Sequence, residues 1–463
     1  KLLCCNNSST TGSTVTPGTI TSNGGNAAAR AFSPFDDPAG FVYGDSGKEA
    51  VIKTGGYKGD GNGGSSQGTP NSQEVYLGWE PQLVLIKRVS NSESWILYDS
   101  MRGIDDQNGS STDRKIEINT SDTEANTNHI NLTSTGFTFA TGNNQVNANN
   151  DNYIYLAIRR PDGYVGKPPE VGTSVFTTAV RSSSTAPRYI SNFPVDFALY
   201  RNPSDTSDWY GTNRLNGGQI VKTNVTEIGV ENSDYANFDH SNGYSNQGGS
   251  GHQAWMWKRH AGFDVVTYEG TQTVQEIKHS MNKAPEMMWI KNRDNAGYNW
   301  SVYHSGLGDN RFKLYLNTTN DYSNDQAAWN NTAPTSTHFT LGTDATANKN
   351  GDSYTAMLFA SISGISKCGV YNGATSNLTL DLGFQPRLFI CKQMNAGGSW
   401  MVFDSVRGMG SGNDSILQLD SSSAANSSNR VEATSSGITL YANTDSDVLP
   451  SNTSHKCIYY AHA

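Results

Sequence analysis

The stretches PQLVLIKR from Pro81, PEMMWIKN from Pro285 and PRLFICKQ from Pro386 share one layout and decide the fold. Each places a lysine six residues after its proline, and each is followed by a tryptophan 14 or 15 residues after that proline. The lysines are Lys87, Lys291 and Lys392, and the tryptophans are Trp95, Trp300 and Trp400. A repeat this regular sets the domain size and the architecture, and it argues against one catalytic centre spread over the whole chain.

The repeat extends in both directions and has a fourth, degenerate copy. Each unit closes on an apolar run: YIYLAIRR from Tyr153, YTAMLFAS from Tyr354 and CIYYAHA from Cys457. In the degenerate copy Val195 stands in the place of the proline, Trp209 follows it by 14 residues, and Tyr200 is assigned the place of the lysine. The predicted units are 51–163, 164–260, 261–362 and 363–463, preceded by an N-terminal strand and low-complexity linker at 1–50.

Each unit is predicted to be all-β. Val84–Ile86 and its counterparts are short apolar runs bounded by proline and by Asn, Gly or Ser clusters, which is typical of a central strand buried on both faces. The closing runs alternate, as in Ile154, Leu156 and Ile158, which is typical of a strand with one wet face. No sustained 3.6-residue apolar stripe predicts a long helix. Units of roughly 100 residues with this pattern predict β-sandwich-like domains, and we expect four in tandem to form an elongated rod.

Composition narrows the setting. Of 463 residues only 16% are charged and 47 are glycine, which is typical of stiff extracellular or virion-surface proteins. A formal net charge of −9, without a basic cluster, predicts no nucleic-acid partner. No apolar run is long enough to span a membrane. The opening KLLCC looks like the last strand of an upstream domain, so we expect the chain to be a fragment; removal of an initiator methionine is the alternative.

The residues offer little catalytic chemistry. Asp99 with Arg102 and Asp404 with Arg407 recur in YDSMRG and FDSVRG, but the third unit has His304 in place of the aspartate. We therefore interpret the motif as a turn whose aspartate caps the backbone and pairs with the arginine. The cysteines lack paired spacing, and those of the last unit are expected to be small buried hydrophobes. The sequence predicts no enzyme, no metal site and no cofactor, although two loop carboxylates could still meet in a glycosidase site.

Aromatic residues are the best binding candidates, because an aromatic ring can stack on the face of a sugar. The tryptophans that recur at one register, Trp95, Trp209, Trp300 and Trp400, are expected to be structural anchors of the repeat. Aromatics outside the repeat are the candidate ligand contacts. They are Trp79, Tyr210, Tyr235, Tyr244, Tyr322 and Trp329.

The series LGWEPQLVLIKR, WILYDSMRG, STGFTF and YIYLAIRR resembles repeats of tail-fibre-like and other virion-surface proteins of phages that infect marine bacteria, especially cyanobacteria. The segment from Met281 to Ser361 is similar to the same repeats, and KLLCCNNSS resembles a junction that follows a lectin-like domain. The resemblance covers 51–163 and 262–463 well and 174–260 weakly. It supplies no catalytic residues.

The resemblance implies a structural protein of the virion surface, assembled in the host cytoplasm. We expect a tail fibre or similar appendage that attaches to host surface glycans, forms a homo-oligomer (a trimer by analogy with fibres) and contacts other virion proteins. Two alternatives stay open. One is a self-assembling capsid-decoration, lattice or filament protein, and the other is a carbohydrate-degrading appendage.

Overall fold

The computed structural model describes residues 51–63, 73–104, 113–160, 165–217, 219–231, 236–238, 240–410 and 412–463. The predicted segment 1–50, with Cys4 and Cys5, lies outside them. The described chain is almost entirely β-structure in antiparallel sheets, as the sequence predicts. Each predicted unit contains one six-stranded sheet and one smaller sheet. We call them units 1 to 4 in chain order.

The strands of unit 1 are β1 (Ile52–Lys58), β2 (Val75–Tyr76), β3 (Pro81–Arg88), β4 (Ile96–Asp99), β5 (Asp113–Glu117), β6 (Ala125–Thr127), β7 (Ile130–Thr133), β8 (Gly136–Phe139) and β9 (Asn152–Arg159). Those of unit 2 are β10 (Phe176–Val180), β11 (Tyr189–Ile190), β12 (Phe197–Arg201), β13 (Tyr210–Asn213), β14 (Gln219–Lys222), β15 (Val230–Glu231), β16 (Gly243–Tyr244) and β17 (Gln253–Trp257).

The strands of unit 3 are β18 (Phe263–Glu269), β19 (Gln275–Lys278), β20 (Met287–Asn292), β21 (Ser301–His304), β22 (Phe312–Tyr315), β23 (Ser323–Asn324), β24 (His338–Leu341) and β25 (Ser353–Phe359). Those of unit 4 are β26 (Ser366–Asn372), β27 (Leu378–Asp381), β28 (Leu388–Gln393), β29 (Met401–Asp404), β30 (Asp414–Gln418), β31 (Asn426–Ser428), β32 (Val431–Thr434), β33 (Gly437–Leu440) and β34 (Lys456–His462).

All four large sheets have the same topology. The closing strand of each unit lies between its first strand and the strand that follows the proline position. The orders are β1-β9-β3-β4-β5-β6, β10-β17-β12-β13-β14-β15, β18-β25-β20-β21-β22-β23 and β26-β34-β28-β29-β30-β31. The smaller sheets are β2-β8-β7, β11-β16, β19-β24 and β27-β33-β32. The degenerate second unit therefore has the full large sheet despite its divergent sequence.

A residue with left-handed backbone conformation precedes the central strand of every unit. Three residues before the proline position the backbone has a positive φ: 89° at Gly78, 65° at Asn192, 56° at Asn282 and 79° at Gly383. Glycine and asparagine tolerate this region, where a β-branched side chain is strained. The LGW and LGF motifs are thus turn signals that aim the following strand into the sheet.

Each unit has its own core between the inner face of its large sheet and the smaller sheet. In unit 1 this core joins Ile86 and Tyr98 of the large sheet to Phe137 and Phe139 of the smaller one. Equivalent cores lie in units 2, 3 and 4. In the closing strand β9, Tyr153, Tyr155 and Ala157 face the core. The solvent-facing side of this strand is therefore the aliphatic side, with Ile154, Leu156 and Ile158.

The outer faces of the large sheets of units 2, 3 and 4 meet in one shared apolar core. It contains Trp209 and Trp255 of unit 2, Trp289 of unit 3, and Ile390 and Tyr460 of unit 4, each at most 2% exposed. The expectation of an elongated rod is therefore wrong for these three units. Their second sheet faces are apolar, so they bury them against one another side by side instead of stacking end to end.

Helical structure is limited to single turns. The described helices are α1 (Gln326–Trp329) and α2 (Ala345–Asn348), with 3-10 turns at Gly172–Ser174 and Ser305–Leu307. Asp325 and Asp344 cap the two α-turns by accepting a backbone N–H. Among the described residues, no helix has the length and apolar character needed to cross a membrane.

Candidate functional sites

The repeat tryptophans close a ring of hydrogen bonds between units 2, 3 and 4. In each case the indole Nε1 donates to a backbone carbonyl of the neighbouring unit. Trp209 donates to Gln418 at 2.7 Å, Trp300 to Lys222 at 2.8 Å, and Trp400 to Tyr315 at 2.9 Å. By strand register the three acceptors are the same residue of the repeat. Units 2, 3 and 4 are thus related by a pseudo-threefold arrangement, and Trp95 of unit 1, which is half-buried, lies outside it.

The cation at the lysine position of each unit makes a second ring of hydrogen bonds. Each cation donates to the same neighbouring unit as the tryptophan of its own unit. Lys291 Nζ donates to the Thr226 carbonyl at 3.1 Å, and Lys392 Nζ donates to the Thr319 carbonyl at 2.9 Å. Unit 2 uses Arg201, which donates to three serine carbonyls of unit 4. The assignment of Tyr200 to this position was wrong. Arg201 lies six residues after Val195 and pairs with Gln253, as Lys87 pairs with Ile154, whereas Tyr200 points into the unit 2 core.

These cations are fully buried, and burial lowers their pKa values. The pKa falls to about 8 for Lys291 and Lys392 and to about 10 for Arg201. Each head group is surrounded by carbonyl oxygens, since Lys291 also bonds Tyr298 at 3.0 Å and Lys392 also bonds Gly398. The cations therefore serve as hydrogen-bond donors that tie one unit to the next.

A third ring consists of backbone bonds. A loop N–H seven residues after the tryptophan's acceptor donates to the carbonyl two residues after the cation of the neighbouring unit. The bonds are Gly229 to Arg293 at 2.8 Å, Tyr322 to Met394 at 2.8 Å and Ala425 to Pro203 at 2.7 Å. Three independent sets of hydrogen bonds therefore repeat with the same pseudo-threefold relation between units 2, 3 and 4.

The recurrent aspartate–arginine motif is a turn. Asp99 accepts the backbone N–H of Arg102 at 2.9 Å and its Nε at 2.6 Å. Asp404 makes the same pair of bonds with Arg407, at 3.1 and 2.6 Å. In unit 3 His304 Nδ1 accepts the N–H of Gly306 at 2.9 Å, so a histidine performs the same capping function.

The predicted ligand aromatics do not form a site. Trp79, Tyr244 and Trp329 are at most 1% exposed and belong to the inner cores of units 1, 2 and 3, so their rings leave no face for a ligand. Tyr210 is half-buried against Tyr200, and Tyr322 is half-buried against Phe312. Tyr235 lies outside the described residues. The burial of Trp79, Tyr244 and Trp329 therefore corrects the expectation that these three residues contact a ligand, and the five described positions are dispersed over three units.

One exposed aromatic was missed. Tyr76 of β2 is 60% exposed, and the Lys53 ammonium lies 5.5 Å from the centre of its ring. Val75 beside it is buried, so period-2 alternation along β2 could have predicted that Tyr76 faces solvent. An aromatic ring this exposed is a candidate contact for a sugar, whereas the Lys53 ammonium over the ring disfavours a cationic ligand.

A cavity lies where units 1, 2 and 3 meet. Its volume is about 580 Å³, within the usual range for small-molecule pockets of about 300–1,000 Å³. Apolar lining comes from all three units and includes Leu83, Met101, Pro194, Leu215 and Val265. No local motif indicates this cavity, because its lining residues are far apart in the chain.

Charged groups in this cavity neutralise one another. Asp196 accepts from Arg160 at 2.9 Å, from Arg214 at 3.1 Å and from the backbone N–H of Arg259 at 2.7 Å. Arg259 also pairs with Glu80 of unit 1 and Asp264 of unit 3. Burial raises the pKa of Asp196, but the arginines outweigh it and hold that pKa well below its usual range. The network joins three units and keeps Asp196 ionised, so Asp196 is not suited to act as a general acid.

The three cysteines of unit 4 are buried thiols. Cys368, Cys391 and Cys457 are unpaired, and burial raises the pKa of each thiol. Among the described residues no group of three or more His, Cys, Asp or Glu side chains is placed to hold a metal ion.

A family of proteins matches most of the chain. The chain belongs to the family described as domain of unknown function DUF7483, which matches residues 6–160 and 211–463. The match covers nearly all of unit 1, the second half of unit 2 and all of units 3 and 4, and it leaves out 161–210, most of which is the first half of the divergent unit. No curated protein matches the chain.

Proposed function

We propose that this member of the DUF7483 family is a non-enzymatic structural protein of a virion surface, a phage tail fibre or similar appendage that attaches to host surface glycans. The observation that carries the proposal is the ring of units 2, 3 and 4. Three homologous sandwiches share one apolar core and are tied by the tryptophan, cation and backbone bonds. Such an arrangement makes a stiff scaffold with turns and loops on its outside, which suits attachment better than turnover.

Glycan binding is proposed for the outer surface of this scaffold. The weakly charged composition, at 16% charged residues, suits hydrogen bonding to neutral sugars. Tyr76, with Lys53 beside it, is the exposed aromatic that supports this part of the proposal. Loss of glycan binding in Tyr76→Ala, with binding retained in Tyr322→Ala, would locate the contact on unit 1.

A self-assembling capsid-decoration, lattice or filament protein is the second candidate. It is favoured by apolar side chains that unit 1 exposes, such as Ile118 (51% exposed) and Ile154 (41% exposed), which offer a contact to other chains. Immunogold electron microscopy of virions with an antibody raised against residues 262–463 separates the two. Gold on tail projections supports the fibre, and gold on capsids or on virion-free filaments supports the second candidate. Absence of gold from virions and filaments alike would refute both.

A further inference from the structure

Unit 1 has the same outer face as the other units, but among the described residues no core cluster covers it as the shared core covers theirs. Leu83 and Ile158, at one edge of this face, line the cavity between units 1, 2 and 3. The apolar residues of this face are all half-buried or exposed. We call them the unit 1 outer face: Leu83, Leu85, Trp95, Leu97, Ile116, Ile118, Ile154, Leu156 and Ile158. Ile118 is 51% exposed and Ile154 is 41% exposed. An apolar surface this continuous is uncommon on a protein that acts alone.

Strand register shows which residues of the shared core these correspond to. Leu85 pairs with Leu97 and Leu156, as Ile390 of unit 4 pairs with Val402 and Tyr460. The unit 4 residues are at most 2% exposed, because units 2 and 3 cover them. The unit 1 outer face is therefore the same surface without its two neighbours.

The donors of the ring are present in unit 1 and, in the part of the chain that the structure describes, lack the acceptor from another unit. Lys87 Nζ bonds the Glu93 carbonyl at 2.9 Å, which is the contact that Lys291 and Lys392 make within their own units. Its other acceptor is the Arg88 carbonyl, also in unit 1. In the described part of the chain, Trp95 Nε1 has no hydrogen-bond partner. Asn119 still accepts the Trp95 backbone N–H at 2.8 Å, as Asn317 does for Trp300, so this strand end is held as in the ring.

The acceptors are present as well. Register places the Glu117 carbonyl where the ring has the Gln418 carbonyl, and Ser121 lies four residues later, as Ser422 does in unit 4. The Glu124 N–H corresponds to that of Ala425, and the exposed Val89 corresponds to Pro203. Unit 1 thus carries both halves of each of the three ring contacts.

We propose that three copies of this chain assemble through the unit 1 outer face into a closed homotrimer that repeats the intramolecular ring. Trp95 of one chain donates to the Glu117 carbonyl of the next, Lys87 to the Ser121 carbonyl, and Glu124 N–H to the Val89 carbonyl. The occupant is a further copy of the chain, because the same fold in units 2, 3 and 4 already buries this surface with these bonds. The assembly closes at three because a head-to-tail contact with threefold rotation generates a ring and not a filament. This inference does not depend on the virion assignment, since purified protein tests it.

Mass measurement of the purified full chain is the first test. Light scattering and native mass spectrometry should give three times the 50.0 kDa chain mass. Leu85→Glu, at the centre of the outer face, should give a monomer with an unchanged far-UV spectrum. Val274→Glu, at a position of unit 3 that is 55% exposed, is the matched control and should stay trimeric.

Disulfide trapping tests the geometry. A Val89→Cys protein mixed with a Glu124→Cys protein should form a two-chain disulfide, and either variant alone should not. A chain that carries both cysteines should give a covalent three-chain species on a non-reducing gel. A monomeric or dimeric wild type, a trimer that survives Leu85→Glu, or a double variant that links only within one chain would each overturn the proposal. A monomer whose unit 1 outer face is protected from hydrogen exchange would show that residues 1–50 cover it, which also overturns the proposal.

Discussion

Buried cations act as hydrogen-bond donors between the units. Lys392 is fully buried, and its ammonium lies among the carbonyls of Thr319 and Gly398, with no carboxylate of the described residues bonded to it. Replacing it by a residue of similar length without donors leaves those carbonyls unsatisfied inside the protein. An unsatisfied buried group costs about 1–3 kcal/mol.

We therefore expect Lys392→Met to lower the free energy of unfolding by about 1–3 kcal/mol. Chemical denaturation of the full chain should show a lower midpoint with an unchanged slope. Lys456→Met is the matched control, because Lys456 is exposed and should leave the midpoint where it is. Equal midpoints for both variants would contradict the role assigned to Lys392.

Buried histidines predict acid sensitivity. Burial lowers the pKa values of His304 and His462 to about 4, below the ordinary value of 6.5. In the unfolded chain these groups take up protons at higher pH than in the folded chain. Their contribution to stability is thus full above pH 6.5 and is lost as the pH falls from 6.5 to 4, at a total on the order of 3 kcal/mol for each histidine.

The variant His304→Asn should flatten this pH dependence. Asparagine keeps an acceptor for the Gly306 N–H but does not titrate. Unfolding free energies measured at pH 7 and pH 4.5 should differ less in the variant than in the wild type. An equal pH dependence in the two proteins would show that His304 is not a source of the sensitivity.

At the scale of the element, one pair of facing residues on the first and closing strands of units 1, 3 and 4 combines a small and a larger side chain in different ways. In units 1 and 4 a glycine faces a tyrosine, Gly55 with Tyr155 and Gly369 with Tyr459. In unit 3 the pair is Val266 with Ala356. A Cβ added at Gly369 would lie 2.5 Å from the Tyr459 ring, so the tyrosine fills the space that glycine leaves.

This difference predicts a compensating pair of substitutions. Gly369→Val should destabilise the protein by about 1–3 kcal/mol through overpacking against Tyr459. The double variant Gly369→Val/Tyr459→Ala restores the size pattern of unit 3 and should recover part of that loss. A double-mutant cycle on the free energy of unfolding measures the coupling, and strictly additive effects would contradict it.

The sequence predicts those elements whose residues recur at the same position in several units. Local features recur in the chain, so the strand after Pro81, the aspartate turn at Asp99 and the anchor register of Trp300 could be predicted. The burial of Trp79 and Trp329 could not be predicted. The sequence around a tryptophan outside the repeated strands does not distinguish a ring that packs under a smaller sheet from one that faces solvent. The shared core could not be predicted, because the apolar run that contains Ile390 indicates a strand buried on both faces but not which part of the chain covers its second face.

At the scale of the whole molecule, a shared core makes units 2, 3 and 4 one cooperative body. Trp300 belongs to unit 3, but its ring packs in the core common to all three units and its Nε1 bonds Lys222 of unit 2. The inner core residues of unit 1 form a cluster separate from the shared core. Unit 1 meets the ring through contacts such as the Glu80–Arg259 ion pair. Opening one unit of the ring therefore exposes apolar surface on the other two.

We expect Trp300→Ala to destabilise the ring as a whole, by about 3–5 kcal/mol for a buried tryptophan. Native-state hydrogen exchange should show lower protection in the central strands of units 2, 3 and 4 together, because they unfold as one unit. Trp95→Ala removes the residue of the same register in unit 1 and is the matched control; it should leave protection in units 2, 3 and 4 unchanged. Loss of protection confined to unit 3 in Trp300→Ala would mean that the three sandwiches are independent domains and that the shared core does not couple them.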